Sequence, residues 1–159
     1  MRLGRIAYVN CYPVYTAIDR GVVAAPATLV SGTPAELNER LADGRLEVSV
    51  ISAVAYAQRA DLFELLPDLA VSSDGPVRSV LLFSRRPPEE LQGGRVLVST
   101  SSRTSVLLLE LLARERWGAA IETVPAPAEP GDLEQLAGVP HDAVLVIGDA
   151  ALLLGARNA

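Results

Sequence analysis

The sequence predicts an α/β protein of two lobes, with mostly parallel sheets flanked by helices. Three observations carry this reading. Short apolar runs alternate with helical segments along the chain, and such alternation implies crossover helices between parallel strands. Segment 103–117 is apolar around most of its circumference through Val106, Leu107, Leu108, Leu109, Leu111 and Leu112, the pattern of a largely buried helix. Finally, Arg85-Arg86-Pro87-Pro88-Glu89-Glu90 interrupts the alternation, and a fresh strand–helix–strand unit starts at Arg95.

The elements follow in order. A strand over 3–9 runs into a helix over 12–20, and a second strand over 28–31 leads to a helix over 34–43. Thr33-Pro34-Ala35-Glu36 is a capping box with proline at the first helical position. Leu37 and Leu41 supply that helix's apolar face, and Asp43-Gly44 stops it. A strand over 47–52 and a helix over 53–61 come next. Ser72-Ser73-Asp74-Gly75-Pro76 is a turn before a strand over 79–84. The break at 84–92 sets a lobe boundary, giving residues 1–84 and 85–159. The second lobe carries strands over 95–99, 121–125 and 143–148 and helices over 103–117 and 131–137, with a Pro- and Ala-rich loop over 125–132. An apolar helix begins at Asp149 and the chain stops soon after, so this lobe is expected to be incomplete and the chain a fragment.

Composition excludes several classes. Half the chain is apolar and 21% is charged, the profile of a globular protein. No apolar run approaches the ~20 residues that span a bilayer. The charged start leads into a strand rather than a signal-peptide core, so a cytoplasmic location is expected. A net charge of −5 and the lack of a basic stripe argue against nucleic acid as partner. The single cysteine, Cys11, rules out an intrachain disulfide or a Cys-rich metal site. The 14 cationic side chains are all Arg. No G-x-S-x-G elbow, phosphate-binding P-loop or H-E-x-x-H is present. His141 precedes a strand, at the edge opposite the one where open α/β sheets bind ligands. Cys11 has no evident base and reads as a small packing residue.

What recurs is short polar groups where strands end, the edge at which α/β sheets take ligands. Asn10 follows the first strand; it can donate and accept hydrogen bonds, or simply form an Asx turn or helix cap. Ser52 follows the third strand, and Gly148-Asp149 the last. The cluster Ser99-Thr100-Ser101-Ser102-Arg103-Thr104-Ser105 joins a strand to a helix. Free N–H groups and hydroxyls at that positive dipole end suit a carboxylate or phosphate, whereas a plain N-cap needs one hydroxyl only. Two lobes offering such edges would enclose a cleft for a small anionic ligand.

Several blocks together resemble a known family. They are Tyr8-Val9-Asn10 with Pro13-Val14, Gly32-Thr33-Pro34-Ala35-Glu36-Leu37-Asn38, Val50-Ile51-Ser52-Ala53-Val54-Ala55-Tyr56-Ala57 and Leu65-Leu66-Pro67. They continue through Gly75-Pro76-Val77-Arg78-Ser79-Val80-Leu81-Leu82-Phe83-Ser84, Ser102-Arg103-Thr104-Ser105 and Val146-Ile147-Gly148-Asp149-Ala150-Ala151-Leu152. In order along the chain, these blocks resemble the chorismate dehydratase family of the futalosine route to menaquinone.

The resemblance implies a type II periplasmic-binding-protein fold without a periplasmic address, in members that are longer than this chain. It also implies loss of water from chorismate to give 3-[(1-carboxyvinyl)oxy]benzoate, with no metal and no organic cofactor. Asn10 and Ser79 match the reaction centre. Ser52, Ser102, Arg103, Thr104 and Ser105 match pocket-lining positions, and Gly148 and Asp149 complete the candidate set. The pocket candidates include no His or Lys, so proton removal is expected to fall to a substrate carboxylate, with Asp149 as the alternative base. The sister enzyme 1,4-dihydroxy-6-naphthoate synthase shares the fold but carries Ile-His-Glu where this chain has Ile147-Gly148-Asp149. A binding module of the same fold, holding a small carboxylate without catalysis, is the other alternative.

Overall fold

The computed structural model describes residues 1–127 and 131–157 and divides into two compact units, Met1–Asp74 and Gly75–Ala159.

In the first unit, β1 (Arg2–Ile6) pairs in parallel with β2 (Thr28–Gly32), from Arg2 opposite Thr28 to Ile6 opposite Gly32. A 3₁₀ turn over Val9–Cys11 leads into α1 (Tyr12–Asp19). Helix α2 (Pro34–Ala42) has the expected capping box: Thr33 accepts from the Glu36 N–H and Glu36 reaches back to the Thr33 N–H. It packs on both strands and inserts Leu37, which is fully buried, among Ile6, Cys11, Tyr15 and Leu46.

Two sequence expectations change here. The strand expected to reach residue 9 ends at Ile6, because the Cys11 N–H turns back to the Tyr8 carbonyl at 3.0 Å. The strand expected over 47–52 is a single parallel bridge, Leu3 with Val48. Its ladder stops because the Ser52 N–H bonds the Asn38 side chain and Ser49 Oγ folds onto the Val50 carbonyl. Helix α3 is correspondingly short (Ala53–Gln58), and one 3₁₀ turn (Ala60–Leu62) follows it.

The second unit has a four-stranded sheet of order β3-β6-β4-β5. Strands β4 (Arg95–Ser99), β5 (Glu122–Ala126) and β6 (Ala143–Ile147) are mutually parallel, while β3 (Val80–Ser84) lies antiparallel to β6. This corrects the lobe boundary. Strand 80–84 belongs to the second sheet, because its apolar side chains pair with those of β6 from Val80–Ile147 to Phe83–Val144. The division falls between Asp74 and Gly75 rather than at 84.

Both faces of this sheet are covered. Leu97 and Val146 pack with Leu136 of α5 (Leu133–Ala137) and with Ala150 and Ala151 of α6 (Gly148–Arg157). Val96, Val98 and Leu145 pack on the other side with Leu109 of α4 (Arg103–Leu112). A π-helical turn over Ala113–Trp117 extends α4 and ends on left-handed Gly118. The expectation that 103–117 would be largely buried fails on one side: Leu107, Leu108, Leu111 and Leu112 are exposed. A helix lying on one sheet face hides a single stripe, and no described element covers its outer side. The loop expected over 125–132 is strand as far as Ala126, and residues 128–130 of that expectation lie outside the described residues.

Candidate functional site

The two units each hold a group of the candidate residues. In the first, Asn10 is exposed on the 3₁₀ turn between β1 and α1. Ser52 is the N-cap of α3, accepting the Ala55 N–H at 3.1 Å. Its hydroxyl also accepts from Asn38 Nδ2 at 3.2 Å, and its own N–H donates to Asn38 Oδ1 at 3.2 Å. Asn38 lies on α2 and is 7% exposed. Sequence reasoning missed it as a site residue, although a signal existed. An asparagine inside a helix is disfavoured unless its amide has work elsewhere.

In the second unit the candidates converge on one edge of the sheet. Strands β4 and β6 are parallel and end together, while β3 begins where β6 ends. Adjacent strands lie ~4.8 Å apart, so Ser79, Gly148 and the turn after β4 occupy neighbouring positions. The Gly148 N–H donates to the Ser79 carbonyl at 2.8 Å. Gly148 opens α6 with φ +62°, and Asp149 sits in the helix's first turn, a position where a carboxylate suits the dipole. The helix thus starts one residue earlier than the beginning at Asp149 expected from the sequence.

The Ser/Thr corner divides its hydroxyls. Ser102 caps α4 by accepting the Ser105 N–H at 3.2 Å, and the Ser102 and Ser105 hydroxyls bond each other at 2.9 Å. Ser99, 3% exposed, accepts the Ser101 N–H at 3.2 Å. Thr104 Oγ1 is buried and has no hydrogen-bond partner among the described residues. An open groove of about 400 Å³ in this unit lies elsewhere, lined by Val80, Leu82, Leu108, Leu112, Trp117 and Leu145, and contains none of the candidates.

Cys11 and His141 take packing and surface roles. Burial among Ile6, Tyr15 and Leu37 pushes the Cys11 thiol pKa up, which disfavours the reactive thiolate. His141 lies beside the amino end of β6, its Nδ1 2.6 Å from the Val139 carbonyl oxygen. Among the described residues, no group of three His, Cys, Asp or Glu side chains is placed to share a metal ion. No described helix is long and apolar enough to cross a membrane.

A family model described as menaquinone biosynthesis matches residues 1–159. The chain belongs to this family. Among its relatives, the chorismate dehydratase of Thermus thermophilus is 38% identical over 125 residues, spanning 78% of this chain and 43% of the relative. This family member thus spans less than half the length of that enzyme. Two solved structures show the fold. A protein of Archaeoglobus fulgidus superimposes with TM-score 0.73 at 21% identity, over 98% of this chain and 56% of that one. The periplasmic aliphatic sulphonate binding protein of Escherichia coli superimposes with TM-score 0.54 at 16% identity, over 100% of this chain and 57% of that one. The fold is therefore periplasmic-binding-protein-like, as the family resemblance implied.

Proposed function

We propose that the protein acts in the dehydration of chorismate to 3-[(1-carboxyvinyl)oxy]benzoate, on the futalosine branch of menaquinone biosynthesis in the cytoplasm. The observation that carries this reading is the 38% identity to a chorismate dehydratase over most of the chain. The site chemistry supports it. A dianionic substrate needs donors, and the candidates supply them mainly as amides, hydroxyls and helix N-termini, with Arg103 as the cation among them. The buried Thr104 hydroxyl retains an unused donor.

In the proposed reaction the ring C–O bond to the hydroxyl breaks, the adjacent ring C–H gives up its proton, and water leaves as the ring becomes aromatic. Asn10 contacts the departing hydroxyl, and Ser79 fixes the ring or its carboxylate. The ring proton goes to a carboxylate of the substrate, which passes a proton on to the departing hydroxyl so that it leaves as water, and the protein contributes orientation and hydrogen bonding. Ser52, Ser102, Arg103, Thr104, Ser105, Gly148 and Asp149 line the substrate's polar groups.

The test is incubation with chorismate and detection by mass spectrometry of a product lighter by one water. Asn10→Ala is expected to lower turnover roughly 10²- to 10³-fold, the loss typical of one transition-state donor. A protein that binds chorismate and releases it unchanged would favour the non-catalytic binding module. Normal turnover by Asn10→Ala would remove Asn10 from the reaction centre.

A further inference from the structure

The geometry points to Asn38 as a positioning residue that fixes the direction in which Ser52 offers its hydroxyl proton. The Ser52 N–H can only donate, so the group 3.2 Å from it must be the amide oxygen of Asn38. That sets the amide's orientation. Its NH₂ therefore faces Ser52 Oγ at 3.2 Å and can only donate to it. The Ala55 N–H also donates to Ser52 Oγ, at 3.1 Å. A serine hydroxyl has two acceptor sites and one proton. Both acceptor sites are taken, so the proton is left to donate outward. Asn38 can hold this arrangement because it is 7% exposed on a helix packed against β1 and β2, where water competes little for its amide.

The device suits an anion. A serine free to rotate can present lone pairs or a proton, whereas this one presents only the proton. Resting on the functional reading above, the acceptor is a carboxylate oxygen of chorismate, held equally in the ground and transition states.

The test uses the Asn38→Asp variant, which keeps the side chain's shape. While protonated, the introduced carboxyl can accept from the Ser52 N–H and donate to Ser52 Oγ as the amide does. Once ionised it accepts the Ser52 proton instead, so the serine no longer donates outward. KM for chorismate is expected to rise roughly 10- to 100-fold with kcat little changed, the effect of losing a hydrogen bond to a charged group. The loss should recede as pH falls and the introduced carboxyl protonates, a titration the unmodified protein lacks. Ser52→Ala should give a similar loss, and the double variant should be no worse than Ser52→Ala alone. Slow amide exchange at Ser52 and Ala55 in the unmodified protein reads the clamp without any ligand. Fast exchange there, or Asn38→Asp with unchanged KM at every pH, would overturn the inference. Slow exchange in a protein that fails to bind chorismate would instead overturn the functional reading and leave the clamp standing.

Discussion

Gly148 donates its backbone N–H to the carbonyl oxygen of Ser79 at 2.8 Å, which holds the residue opening α6 against the residue leading into β3. Antiparallel pairing makes the contact possible, since β3 starts beside the last residue of β6. The strand-to-helix turn needs a left-handed backbone at position 148, φ +62°, and only glycine adopts that without penalty.

Gly148→Ala isolates that penalty. A Cβ built there meets nothing within 4 Å, so sterics with neighbours play no part. The cost is conformational and is expected to be about 1–2 kcal/mol. A shift of the chemical denaturation midpoint at constant slope would report it. An unchanged midpoint would mean the turn relaxes freely.

The alternation of elements was legible in the sequence because capping and periodicity are local signals. Thr33 and Glu36 sit in the capping box their spacing implies, and Ser102 caps α4 at the end of its strand. Long-range partners were not legible. Segment 47–52 has the composition of a strand, but Asn38, distant in sequence, takes the Ser52 N–H from the ladder. Strand 80–84 looked like the end of the first lobe because no local signal reveals an antiparallel partner sixty residues on; its pairing with β6 decides the boundary. Most of the candidate residues were found by their place after strands, whereas Ser79, which precedes its strand, came from the family resemblance alone. Asn38 was overlooked because it acts from the middle of a helix.

Gly4 lies where the backbone of β1 comes close to segment 47–50. Its N–H bonds the Val48 carbonyl at 2.8 Å, and its carbonyl accepts the buried Tyr15 hydroxyl at 2.9 Å. A Cβ at position 4 would clash with Ser49 Oγ and lie 2.9 Å from Ser49 Cβ. Gly4→Ala is expected to destabilise the first unit by about 1–3 kcal/mol, the range for overpacking a tight site. Adding Ser49→Gly should recover part of that loss in the same denaturation measurement. No recovery would mean that Ser49 is not what limits the approach.

The Glu47 carboxyl has its pKa lowered from 4.5 to about 2, first by its hydrogen bond to the Arg2 side chain and then by the Arg2 backbone N–H. A carboxyl depressed in the folded state adds stability above its unfolded pKa and loses it as pH falls through the folded one. The contribution should therefore fade between about pH 4.5 and 2. The pair is exposed, so salt should weaken it. An NMR titration is expected to place the Glu47 midpoint near 2, and Arg2→Ala to return it toward 4.5. A midpoint unaffected by Arg2→Ala would exclude the pairing as its cause.

Two adjacent leucines on α4 separate the buried stripe from the open one. Leu109 is 3% exposed and packs with Leu91, Val96, Val98 and Leu145, whereas Leu108 is 51% exposed. Alanine and leucine differ little in helix propensity, so replacing either leucine by alanine tests packing rather than helix formation. Leu109→Ala is expected to cost about 2–5 kcal/mol through lost burial and a cavity. Leu108→Ala should stay within ~0.5 kcal/mol, as an exposed substitution does. Equal losses at both positions would mean that the outer stripe of α4 is covered in solution, and its exposed leucines would then have to be assigned to an interface.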